Sequence, residues 1–303
     1  MEIAVANKGV EIRSLKVDGR EYMWNGDSKY WGRVSPILFP IVGKLKDDTL
    51  RINGNSFSMK QHGFARDAEF EPININRSDF EFSSIVSVNN NQDPLNFKLS
   101  SQSSIFENYP YSYELSVTYH LTNKSLHAKW EVKNVGQNDM YFQIGAHPAF
   151  ILPNYSVDDE IHGYLQCFDS ENKIVNPIVN THLIDGLRHR CDSEIKLSDF
   201  IPITNTTFFD DAILIENSQV QKIILFDKDR KPVLSVSCPQ AEAFGVWAPN
   251  KEGCPFVCIE PWCGISDSND FSGDISEREY IHRLMSGGRF LFCYEIEILN
   301  AII

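Results

Sequence analysis

Two side chains in this sequence sit where an ionisable group is hard to place without a purpose. His147 lies in "YFQIGAHPAF", a lone imidazole before a proline among Phe, Ile and Ala. Glu260 lies in "VCIEPWCGISDS", at the end of the apolar run Pro255 to Ile259. A buried ionisable group is costly unless it has a partner. His147 is therefore either a hydrogen-bonded core residue or a proton carrier facing a pocket. Glu260 is either solvated at a strand end or held in a pocket that raises its pKa, which suits a general acid or base. Trp262, two residues on, can share a strand face with Glu260, and a tryptophan beside a carboxylate suits a sugar, with its apolar CH face and hydroxyl rim.

Other candidates are weaker alone. His62, in "MKQHGFARD", follows a strand pattern in a loop with Gly63 and Arg66, and loops on rigid strands often carry function. Asp210 and Asp211 interrupt the apolar pattern of "TFFDDAILIEN"; one is a candidate hydroxyl acceptor, or the two mark a bulge. Cys254, Cys258 and Cys263 in "CPFVCIEPWC" lack the paired short spacing of a zinc site, so Cys258 reads as a small apolar strand residue. No helical histidine pair, phosphate-binding loop or G-x-S-x-G elbow occurs.

The elements that must position these residues are strands. "GVEIRSLKVDG", "SYELSVTYHLTNKSLHAKWEVKNVG", "QKIILFDKDRKPVLSVSCP" and "RFLFCYEIEIL" alternate apolar and polar residues, and "TLRINGNSFSMKQHGF" reads as a hairpin about Asn53-Gly54. "SEREYIHRLMSGG" has a capping pattern from Ser276 to Glu279 and a stop at Gly287, predicting a helix of one or two turns that includes His282. The absence of linker-like tracts predicts one domain over residues 1–303. The expected fold class is all-β, a sandwich or barrel.

The chain has 303 residues, 42% of them hydrophobic, and a formal net charge of -13. That acidity argues against nucleic acid as a partner. No stretch approaches the about 20 apolar residues of a membrane span. Seven scattered cysteines and no apparent leader point to free thiols in the cytoplasm.

"EIRSLKVDGREYMW", "SPILFPIVGKL", "QHGFARDAEF", "GAHPAF", "DDAIL" and "CIEPWCG", in that order, resemble the aldose 1-epimerase (galactose mutarotase-like) family, in particular its LacX-like branch. The likeness runs over nearly the whole chain. It implies a β-supersandwich of large antiparallel sheets with an open sugar cleft. It also implies His147 as general acid, Glu260 as general base, His62 and Asp211 (or Asp210, in another register) as substrate-binding residues, and no cofactor or metal. Lys44, in "VGKL", falls where many members carry arginine, which keeps the charge and loses the planar fork. Arg66 matches an arginine at the phosphate site of similar hexose-6-phosphate mutarotases, or else clamps Asp67 or Glu69. The implied function is interconversion of the anomers of a hexose or hexose phosphate. A non-catalytic carbohydrate-binding protein on the same fold is the alternative, and a two-carboxylate glycoside hydrolase a third reading. A small-molecule sugar is the expected partner, and a homodimer stays open.

Overall fold

The computed structural model describes residues 1–73, 85–89, 93–101 and 108–299. It is 49% strand and 3% helical. Among the described residues the largest sheet has ten strands, with Tyr113–Leu121, Ser125–Asn134 and Arg289–Ile298 lying side by side and antiparallel. Tyr113–Leu121 alternates buried and half-exposed residues along its length. One face of this sheet therefore enters the core, where Phe97, Trp130 and Phe292 are fully buried.

A six-stranded sheet carries the sites of interest. Its order is Ile213–Ile215, Ala243–Trp247, Phe256–Cys263, Ile144–Ala146, Ile37–Leu38, with Ala149–Ile151 also paired to Phe256–Cys263. Every residue of Phe256–Cys263 is buried, because the strand is covered on both sides. Val257, Ile259 and Cys263 join the main core, whereas Phe256 and Cys258 pack with Trp24 and Ala149. Strand alternation thus places Phe256, Cys258, Glu260 and Trp262 together on the face away from the main core.

The Asn53-Gly54 hairpin forms between Thr49–Ile52 and Asn55–Ser58, with both turn residues at positive φ. The helix expected over "SEREYIHRLMSGG" reduces to one 3-10 turn, Ile275–Glu277, capped by Asp274 and not by Ser276. The cause is tertiary. Arg278 leaves the turn to bond Asp267 and Gln143 in the interior, Tyr280 turns to a φ of 52°, and His282 begins the strand His282–Leu284. A further hairpin, Ile178–Ile184 with Leu187–Lys196, takes in His182 and His189. It is rooted by the buried Arg188, which pairs with Glu216 at 2.7 Å and Glu279 at 2.6 Å and donates to the Ser266 carbonyl. No helix among the described residues is long and apolar enough to cross a membrane.

Candidate active site

His147 and Glu260 face each other because of strand register. Gly145 pairs with Trp262 and Ala149 pairs with Cys258, and the count between them runs without insertion. His147 therefore stands opposite Glu260. Pro148 has no N–H to give the ladder, so the strand is interrupted there while its register carries through; the Pro148 carbonyl still accepts from Ile259. Directly opposed side chains on one sheet face are near neighbours. The result is a His147 Nε2 to Glu260 Oε2 distance of 3.2 Å, with Glu260 1% exposed and His147 7%. Oε2 makes no hydrogen bond of good geometry.

The pair closes one side of a cavity of about 260 Å³. Aromatic rings form a wall. Trp31 stacks on His147 at 4.7 Å, and Trp247 meets the same imidazole edge-on at 5.8 Å. Such ring contacts contribute about 0.5–1.5 kcal/mol each beyond area burial and hold the imidazole in one orientation. Trp262 lies across two glycines. A Cβ on Gly145 would come 2.8 Å from Trp262 Cδ1, and one on Gly245 would come 2.9 Å from Cζ2. Only residues without a side chain let this indole lie flat on the sheet, and its depth sets that part of the cavity.

His62 enters from the loop after the Asn53-Gly54 hairpin, with a φ of 67°. Its backbone N–H and carbonyl bond Gly43 and Phe39, and its Nδ1 accepts the Gly43 N–H at 3.1 Å. A neutral ring accepting at Nδ1 carries its hydrogen on Nε2, so His62 can donate to a ligand hydroxyl. Asp211 also lines the cavity, at a φ of 110°, with Oδ1 accepting from Ala212. A φ of that size is strained for a residue with a Cβ, and such strain tends to collect at functional positions. Asp210 is exposed and outside the lining, so of the two aspartates Asp211 is the one at the cavity.

Arg66 borders this cavity and also a larger, outer crevice that it shares with Trp31 and Arg33. It donates to the Gln61 carbonyl and lies 4.0 Å from Asp67, whose firmer partner is Arg33 at 2.9 Å. Its Nε is buried without a hydrogen-bond partner. Lys44 stands just outside the lining, its stem against Gly186, while its neighbour Gly43 borders the cavity.

Burial dominates the electrostatics. It pushes the Glu260 pKa well above the usual carboxylate value, and Asp211 raises it further. It pulls His147 down to about 3, with Arg66 and Arg33 adding to the effect, and lowers His62 well below 6.5, with His147 contributing. Asp211 is raised by its own desolvation, and Arg66 is lowered to about 10 by burial and by Arg33. The opposed shifts of His147 and Glu260 favour an uncharged pair holding one proton between them.

Sequence reasoning missed several lining residues: Trp31, Trp247, Gln61, Leu183 and Ser266. Trp31 had the one available signal, a Tyr-Trp-Gly-Arg run in otherwise turn-like sequence. Leu183 and Ser266 reach the cavity through long-range packing of the rooted hairpin, which no local pattern announces.

Stacked antiparallel sheets with a histidine–carboxylate pair in an aromatic-walled cavity define a galactose mutarotase-like β-supersandwich. The galactose mutarotase related enzyme from Lactobacillus acidophilus superposes with a TM-score of 0.83 at 28% identity, over 98% of this chain and 94% of that one. A galactose mutarotase-like protein from Lactobacillus casei ATCC 334 shares the fold with a TM-score of 0.81 at 24% identity, over 98% of this chain and 96% of the other. In sequence, the chromosomal protein LacX of Lactococcus lactis subsp. lactis is 27% identical over 300 residues, which is 96% of this chain and 94% of LacX. The aldose 1-epimerase family model matches residues 1–269, and the chain belongs to that family.

Proposed function

We propose that this protein is an aldose 1-epimerase that interconverts the α and β anomers of a hexose. The observation that carries the reading is the 3.2 Å contact between His147 Nε2 and Glu260 Oε2 on the wall of a sugar-sized cavity. Mutarotation removes the proton from the C1 hydroxyl and delivers one to the ring oxygen as the C1–O5 bond breaks. Rotation about C1–C2 turns the free aldehyde, and closure reverses both transfers. One proton shared by two bases meets this need: the group that holds it serves O5 while the other accepts from O1. His147 as acid and Glu260 as base describe one direction, and reversibility exchanges them for the other. The uncharged pair favoured by burial becomes the reacting one when a sugar's hydroxyls replace the lost solvation. His62 Nε2–H and Asp211 orient the hydroxyls, and Trp31 and Trp262 cover the apolar ring face.

Arg66 favours a phosphorylated form of this substrate. Among the described residues it is the permanent cation of the lining, its Nε has no hydrogen-bond partner and only a 4.0 Å ion pair with Asp67, and a guanidinium suits phosphate through paired hydrogen bonds. Polarimetry on freshly dissolved α-glucose and α-galactose, and exchange NMR on the same sugars and their 6-phosphates, test both statements. Accelerated approach to equilibrium is expected; binding without acceleration would leave a carbohydrate-binding protein, and a requirement for a glycoside would make it a hydrolase. If Arg66→Ala lowers kcat/KM equally on the sugar and its phosphate, with a lower Tm, Arg66 is only structural.

A further inference from the structure

Among the described residues, two groups bring histidine, cysteine and a carboxylate together. They are His147, Cys258 and Glu260, and Glu242, Cys263 and His282; within each, the ligand atoms all lie within 4.8 Å of one another. The second lies off the sugar cavity, and its thiol already donates to the Gln240 carbonyl at 3.0 Å. The first differs in three ways. Two of its members, His147 and Glu260, line the cavity, with Cys258 buried behind them, which gives a hydrated ion a way in. Glu260 Oε2 lacks a hydrogen-bond partner although the side chain is only 2% exposed. The 3.2 Å between His147 Nε2 and Glu260 Oε2 already approaches the edge of a tetrahedral zinc site, about 3.3 Å for bonds of about 2.0–2.1 Å.

We infer that His147, Cys258 and Glu260 form a three-ligand site for a thiophilic divalent cation, Zn2+ above all, whose open position faces the sugar cavity. The cysteine spacing showed no zinc motif because the set is not local. Register brings His147 across to Glu260, and strand alternation puts Cys258 on the same face two residues before it. One imidazole, one thiolate and one carboxylate make a neutral complex with a divalent ion, which suits a buried position better than a charged one. On binding, the thiol proton and any proton on Glu260 leave to solvent. Thiolate and imidazole select Zn2+ and Co2+ over Mg2+ and Ca2+. The ion occupies the lone pairs that proton transfer uses, so it inhibits in competition with the sugar. That inhibition rests on the proposed mutarotase activity; the binding does not.

The test adds Co2+ to the purified protein and follows the thiolate-to-cobalt charge-transfer band, with Zn2+ displacement and Zn2+ inhibition of mutarotation measured alongside. The band is expected in the wild type and in Cys263→Ser, and absent in Cys258→Ala. The Zn2+ inhibition constant is expected to rise more than about a hundredfold in Cys258→Ala, beyond the roughly 10–100-fold that loss of a mere supporting contact to a ligand gives. No band, a band that follows Cys263, or equal inhibition of wild type and Cys258→Ala overturns the proposal. If circular dichroism shows Cys258→Ala unfolded, Glu260→Gln takes its place and must weaken cobalt binding by the same factor. A wild type with the band and no mutarotation would overturn the activity and keep the site.

Discussion

His147 and Glu260 are each out of place by ordinary burial rules, and together they are not. Among the described residues neither side chain has another ionic partner as close, and the low-dielectric wall of tryptophans discourages charge on both. Replacing either should remove most turnover. Glu260→Gln and His147→Asn are expected to slow mutarotation by about 10²–10⁴-fold, with the circular dichroism spectrum unchanged. The pH profile is a sharper check. A free imidazole titrates near 6.5, but His147 is held down to about 3. The one-proton pair should therefore survive through pH 6.5 with no inflection in kcat/KM there. The acid limb is expected only as the pH approaches His147's lowered value, and the alkaline limb only above the raised value of Glu260. An inflection centred on 6.5 that vanishes in His147→Asn would contradict this. His62→Ala and Asp211→Ala should act on binding, at about 0.5–1.5 kcal/mol for the neutral His62 hydrogen bond and up to about 1.5–3 kcal/mol where Asp211 is ionised, read as a higher KM with a smaller change in kcat.

At the scale of elements, the site is one strand plus what is laid over it. Phe256–Cys263 supplies Glu260 and Trp262, its neighbours supply His147 and Trp247, and the hairpin rooted by Arg188 brings Leu183. Arg188→Met should leave Glu216 buried without its cation, a loss of about 3–5 kcal/mol, measured by urea denaturation. Because that hairpin walls the cavity, KM should rise as well. Element by element, legibility in the sequence followed locality. Strands with clear alternation, such as Tyr113–Leu121 with Ser125–Asn134, and the Asn53-Gly54 turn were readable because their signals are local. The helix at Ser276–Gly287 was overread, since the capping box that forms is Asp274 with Glu277, two residues earlier, and Arg278 has a buried partner, Gln143, far away in sequence. His147, Glu260, His62 and Asp211 were legible through the ordered motifs around them, and all four line one cavity. Trp31 and Leu183 were not, because only tertiary packing gives them a role.

For the whole molecule, the site is a standing electrostatic cost whose sign depends on pH. Glu260 has a folded pKa above its unfolded value, so its contribution is present in acid and is lost as pH rises through the raised value. His147 and His62 have folded values below 6.5, so theirs is present above pH 6.5 and is lost as pH falls toward the lowered values. Glu260→Gln removes the first without the second. Its Tm relative to the wild type should therefore climb with increasing pH, and a scanning calorimetry series across pH checks this. A difference in Tm that is flat or falls with pH would show that burial does not hold this carboxyl protonated. A Tm gain in Glu260→Gln paired with a loss of turnover would mark this position as one kept for chemistry and not for folding.

The glycines beneath Trp262 have a further consequence, for how such a site can change over generations. The indole is held at its depth by what Gly145 and Gly245 lack, so a single added methyl at either position acts as a shim under the aromatic floor. Gly245→Ala would press Trp262 up toward the cavity at a strain of about 1–3 kcal/mol, right beside Glu260, which Gly245 faces across the ladder. The shape of the cavity can therefore change through a single methyl at a position outside its lining, invisible to any comparison confined to the residues that face it.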